Sequence, residues 1–168
     1  MRLLRICVAV LTLLSGASGP AWAEAVASTV DFILVEKGER RMTLFSGNDA
    51  VRTYRIALGR GGLAAKRREG DRLTPEGRYR IDLKHPGSEY HLALRISYPN
   101  AEDRARAAVR KVPPGGNIMI HGLPNGLETE LKLFRNRDWT AGCIAVMNEE
   151  IEEIWSLVEV GTDIEIRR

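Results

Sequence analysis

The chain has 168 residues, 44% of them hydrophobic and 28% charged, with a formal net charge of +3. This balance excludes a disordered chain, a collagen-like repeat and a polytopic membrane protein, and the length fits one domain behind a leader. Sixteen Gly and seven Pro punctuate many short elements, which suits strands better than a helical bundle.

Residues 1–23 read as a secretory leader. Arg2 and Arg5 flank the start of an apolar run from Ile6 to Leu14, and a small-residue stretch ends in Ala21-Trp22-Ala23, an A-x-A cleavage pattern. The run is too short to cross a bilayer, so no stable membrane span is expected once it is removed. Cys7 lies inside the run and does not read as a lipidation site. Cleavage after Ala23 leaves a short extension at 24–29 and one domain at 30–168. A domain of that size buries most of its unfolded surface without a disulfide staple. Arg2 and Arg5 carry two of the three net positive charges. The remainder is too balanced to support nucleic-acid binding.

Val30–Val35, Met42–Ser46 and Val51–Leu58 read as strands, the last two parted by the turn Gly47-Asn48-Asp49. Gly59 to Arg72 is a long irregular stretch holding Arg60, Lys66, Arg67, Arg68 and Arg72 against Glu69 and Asp71. It reads first as a solvated loop; the functional alternative is a basic rim for an anionic polymer. Thr74-Pro75-Glu76-Gly77 suits a type I turn that serves the scaffold. Tyr79, Ile81 and Leu83 then alternate with polar residues, as do Leu92, Leu94 and Ile96 around Arg95 and Ser97. His85, before Pro86-Gly87, reads as a turn residue, and His91 as a solvent-facing start of the second strand.

Asn100 can cap a helix through Arg110, with Glu102 and Asp103 in its first turn. After the turn Pro113-Pro114-Gly115-Gly116 come two short strand candidates, Asn117–His121 and Cys143–Val146. Asn148 can cap a second helix whose Ile151, Ile154, Trp155 and Val158 form an apolar stripe, with Gly161 placed to end it. Ile164 and Ile166 mark a last strand. The expectation is a mainly β fold: a single strand-rich sandwich or barrel-like domain with two short helices.

Cys143 is the one cysteine outside the leader. In an exported protein a lone thiol is buried, bridged to another chain, or used. At an ordinary pKa of about 8.5 it is mostly protonated at neutral pH, so use as a nucleophile calls for a base. His85, His91 and His121 are the candidates, and His121 is the best fixed, at the end of Ile118-Met119-Ile120. Gly142 permits close backbone approach to a reacting group, and the Gly142 and Cys143 N–H groups could face an oxyanion. A zinc site built from Cys143 and the three histidines is the alternative of another class, though no paired spacing supports it.

At these residues the sequence resembles the L,D-transpeptidase catalytic domain, the YkuD domain. His121-Gly122 matches the family's His-Gly, and Thr140, Gly142, Cys143 and Ile144 match its Ser/Thr-His-Gly-Cys signature. Thr74-Pro75-Glu76-Gly77-Arg78-Tyr79-Arg80-Ile81 matches Thr-Pro-x-Gly-x-Tyr-x-Ile, and the likeness runs from about Val30 to Arg168. Two positions depart from the family: Ala141 replaces its His, and Ala145 its Arg or Asn. The resemblance implies acyl transfer on peptidoglycan stem peptides in the periplasm or cell-wall space. It makes Cys143 the nucleophile and His121 the base, with Gly122 orienting the imidazole and Gly142 and Thr140 supporting the site. It implies no metal and no organic cofactor. The acceptor would be a stem amine, a lysine of a wall-linked lipoprotein, or water. A carboxypeptidase or amidase of the same fold, and a catalytically inert wall-binding module, are the alternative functions.

Overall fold

The computed structural model describes residues 29–127, 130, 134 and 137–168. The expected leader, and all but the last residue of the extension, lie outside the described residues. The strands are β1 (Val30–Glu36), β2 (Arg41–Ser46), β3 (Asp49–Arg55), β4 (Gly77–Ser88), β5 (His91–Ile96), β6 (Met119–His121), β7 (Ile144–Ala145) and β8 (Val158–Arg167). Two helices are described in full, α1 (Ala101–Val109) and α2 (Asn148–Leu157). All eight strands share one sheet in the order β3-β2-β1-β8-β4-β5-β6-β7. The pairs β1–β8 and β6–β7 are parallel and the others antiparallel.

The architecture is mainly β and barrel-like, as the alternation predicts. Ile33 and Val35 of β1, Met42 and Leu44 of β2, Tyr79 and Ile81 of β4 and Ile164 and Ile166 of β8 line one core. Ile151 and Ile154 of α2 complete it. The residues that alternate with them face outward and pair by charge across neighbouring strands, as in Arg78–Glu165, Arg80–Asp163 and Arg95–Asp82. The edges of the sheet then meet. Beyond β3, Ala57 exchanges two hydrogen bonds of 2.8 Å with Ala145 of β7, and Gly59 bridges to Thr140.

Several local expectations need correction. Leu83 is exposed, because Asp82 is an extra residue against β5 and the bulge turns the following side chain outward. His85 is a strand residue paired with Ala93, not a turn residue. β4 runs on past Pro86 because the pairing register shifts between His85 and Ser88. Residues 72–76 form an irregular segment without a turn. The cap of α1 is as expected, a full capping box between Asn100 and Asp103. Asn148, however, is the first residue of α2 and Met147 its cap. The Glu150 carboxylate accepts the Met147 N–H. Gly161 lies inside β8, where the register against β1 shifts.

The 59–72 loop is better organised than a solvated loop. The Asp71 carboxylate accepts the N–H groups of Arg67, Arg68 and Leu73 and pairs with a nearly buried Lys66 at 2.8 Å.

Candidate active site

The parallel ladder of β6 and β7 sets the spacing of the site. Ile120 pairs with Ile144 and both turn into the core, so His121 and Ala145, the next pair, turn to the other face. Cys143 lies two residues before Ala145 and therefore shares that face with His121, as a diagonal cross-strand neighbour. Both line one cavity of about 500 Å³, walled by Arg60, His85, Glu89, Tyr90 and Trp139.

His121 is almost completely buried. Its Nδ1 lies 2.7 Å from the Gly122 carbonyl oxygen, so Nδ1–H donates there and Nε2 is left as the basic nitrogen. The carbonyl is held in place. Gly122 N–H donates to the Tyr90 carbonyl at 3.1 Å, and a Cβ on Gly122 would stand 2.6 Å from Asn148 Oδ1. That same oxygen accepts the Leu123 N–H at 2.8 Å. The Tyr90 ring lies 4.5 Å from the imidazole and the Trp139 ring meets it edge-on at 5.7 Å. Burial pushes the imidazole pKa down to about 4, against the pull of the Gly122 carbonyl. The ring is neutral in the resting protein.

Cys143 is partly buried, and burial pushes its thiol above the usual range. The Met119 N–H and the Lys66 charge pull the other way without reversing the shift. The thiol donates to the Asn117 carbonyl at 3.6 Å. The resting pair is therefore neutral thiol and neutral imidazole, not a standing ion pair.

Thr140 ties the loop of Cys143 together. Its Oγ1 accepts the Gly142 N–H at 3.1 Å and donates to the Cys143 carbonyl at 2.7 Å. The Gly142 N–H, one of the two groups expected to face an oxyanion, is thus engaged by Thr140. Gly142 has φ +134° and no room for a side chain, because a Cβ would stand 2.8 Å from the Leu73 carbonyl oxygen. The loop is stitched to the opposite edge of the sheet. Thr140 N–H donates to Leu58 O, Arg60 N–H donates to Thr140 O, and Asp138 accepts the Leu58 N–H while pairing with Arg40.

Neither of the other two histidines has a hydrogen bond to Cys143 or His121 among the described residues. His85 sits in the cavity wall, and His91 pairs with Glu152 at 2.7 Å. Among the described residues no three His, Cys, Asp or Glu side chains gather as a metal site, so the zinc alternative fails on geometry. Ala145 borders a second cavity of about 670 Å³ with Arg40, Arg55 and Asp138, and Trp139 is shared by both cavities. Sequence reasoning missed Asp138, Asn148 and Arg40. Asp138 stands in the Asp-Trp-Thr run, where its nearness to the motif was a usable signal.

A model of the L,D-transpeptidase catalytic domain matches residues 30–166. The chain belongs to that family. YafK of Escherichia coli strain K12, whose name assigns it provisionally to the L,D-transpeptidases, is 32% identical over 133 residues, 76% of this chain and 46% of YafK. Among solved structures, the helical cell shape determining protein Pgp2 from Campylobacter jejuni superposes with a TM-score of 0.61 at 26% identity, over 83% of this chain and 49% of Pgp2. Bd1075 of Bdellovibrio bacteriovorus gives 0.59 at 26% identity, over 86% and 50%. The chain spans about half the length of each of these relatives.

Proposed function

We propose that this L,D-transpeptidase-family domain is an exported cysteine acyltransferase of peptidoglycan stem peptides. The observation that carries the reading is the placement of His121 and Cys143 on one sheet face, at the floor of one cavity. Residues 1–23 supply the export leader, which puts the reaction in the periplasm or cell-wall space.

The thiol proton passes to His121 Nε2 as the Cys143 sulfur attacks the carbonyl of a diaminopimelate residue linked to a terminal D-Ala. The Cys143 N–H donates to the tetrahedral oxyanion. The C–N bond to D-Ala then breaks, His121 returns its proton to the leaving amine, and a thioester remains. An acceptor amine, from a second stem or from the lysine of a wall-linked lipoprotein, then attacks the thioester carbonyl; the C–S bond breaks as the new amide forms, and His121 passes the amine's proton to the departing Cys143 sulfur, restoring the thiol. No step calls for a metal or an organic cofactor.

Hydrolysis is the second reading. Ala145 favours it, because it borders the second cavity without the polar side chain that the family carries at that position. Mass spectrometry of purified protein incubated with disaccharide-tetrapeptide separates the two. Dimers that have lost one D-Ala establish transfer; tripeptide alone establishes trimming. Unchanged substrate, with Cys143→Ala behaving like the parent, would overturn the assignment.

A further inference from the structure

We infer that Lys37 is a positioning residue for Cys143, acting through the backbone of Thr74, which shelves the loop of the nucleophile. Lys37 follows β1 and is fully buried, a rare place for an ammonium. Its Nζ donates to the carbonyls of Ala64 at 3.0 Å and Thr74 at 2.9 Å and pairs with Glu76 Oε1 at 3.0 Å. One group therefore ties three points of the segment between β3 and β4. A buried ion pair adds little stability over an apolar side chain of similar size, so stability alone does not explain a lysine here.

From Thr74 the path to the nucleophile is short. Thr74 Oγ1 accepts the Gly59 N–H at 3.1 Å in a buried setting. A Cβ on Gly59 would stand 3.0 Å from the Gly142 Cα, and the Leu73 carbonyl oxygen fills the place of a Gly142 Cβ. Gly142 precedes Cys143 and is held from its other side by Thr140. Displacement of residues 73–74 therefore presses on Gly142 directly. Asp71 clamps the same segment at a second point, through the Leu73 N–H.

The inference rests on Cys143 being the nucleophile, so Cys143→Ala is measured alongside. The variants are Thr74→Val, which removes the acceptor, Thr74→Ser, which keeps it, Lys37→Met, and the milder Glu76→Gln. Turnover of disaccharide-tetrapeptide and the pH profile of Cys143 alkylation are followed well below each melting temperature. Thr74→Val and Lys37→Met should lower kcat on the order of 10- to 100-fold. KM should stay within about twofold, because ground-state binding is not the target. The alkylation midpoint should move down toward that of an ordinary thiol as the loop loosens. Thr74→Ser should match the parent, and Glu76→Gln should shift the same readouts by a smaller factor. A lower melting temperature with unchanged kcat and unchanged alkylation profile in Thr74→Val and Glu76→Gln would overturn the inference. An active Cys143→Ala would instead overturn the nucleophile assignment beneath it.

Discussion

At Cys143 burial and hydrogen bonding act in opposite directions on one proton. Burial dominates, so the thiol titrates above its usual range. The rate of carbamidomethylation should climb through the alkaline range, with no plateau between about pH 5 and 8. Such a plateau would mean a standing thiolate–imidazolium pair and would contradict the neutral resting state. His121 leaves its own mark on stability. Its imidazole titrates near 6.5 when unfolded and near 4 in the fold. Between those values the unfolded chain holds a proton that the folded chain does not. Stability is therefore full above pH 6.5 and declines as pH falls toward 4, by up to about 3 kcal/mol. Urea unfolding at pH 7 and pH 4.5 measures the decline, and His121→Gln should flatten it; an equal decline in the variant would assign it elsewhere. Carboxylates held low by arginines, Glu36 by Arg167 and Glu153 by Arg52, lose their contribution only below their ordinary 4.5. The two windows overlap only between about pH 4 and 4.5.

Among the elements, the join between the β3 extension and the Thr140–Cys143 loop is the most tightly constrained. A methyl group on Gly59 would collide with the Arg72 carbonyl oxygen and press on Gly142. Gly59→Ala should cost about 1–3 kcal/mol and remove most of the turnover. Gly47→Ala is the comparison. Its φ of +59° disfavours Ala, but nothing stands within 4 Å, so it should lose stability and keep its turnover. Melting curves and rates measured side by side decide, and matched losses of rate would sink the idea. Much of this level was legible in the sequence. Strands with one packed face alternate, and so β4, β5 and β8 could be read. Asn100 could be read as a cap because its partner, Asp103, is local. The bulge at Asp82 could not, because an extra residue is defined only against the partner strand. His85 was misread for the same reason: Pro86 breaks a strand only where a ladder bond is needed, and there the register has slipped. In the site, His121, Thr140, Gly142 and Cys143 stand in motifs. Lys37, Asp138 and Asn148 act across large separations, which periodicity does not reveal.

At the scale of the molecule, a single sheet carries both the core and the candidate site, and its two ends meet beside Cys143. Ala57 reaches Ala145 and Gly59 reaches Thr140. Residues 57–60 are held against residues 138–145 by contacts that join segments far apart along the chain. Joining partners so distant along the chain costs loop entropy before any contact repays it. The join between the edges is thus among the least local contacts of the fold. Without that join, Cys143 lacks both its cavity and its fixed loop. The surroundings that set the Cys143 thiol are therefore completed by folding, and a partly assembled chain carries that cysteine with an ordinary titration instead of the raised one.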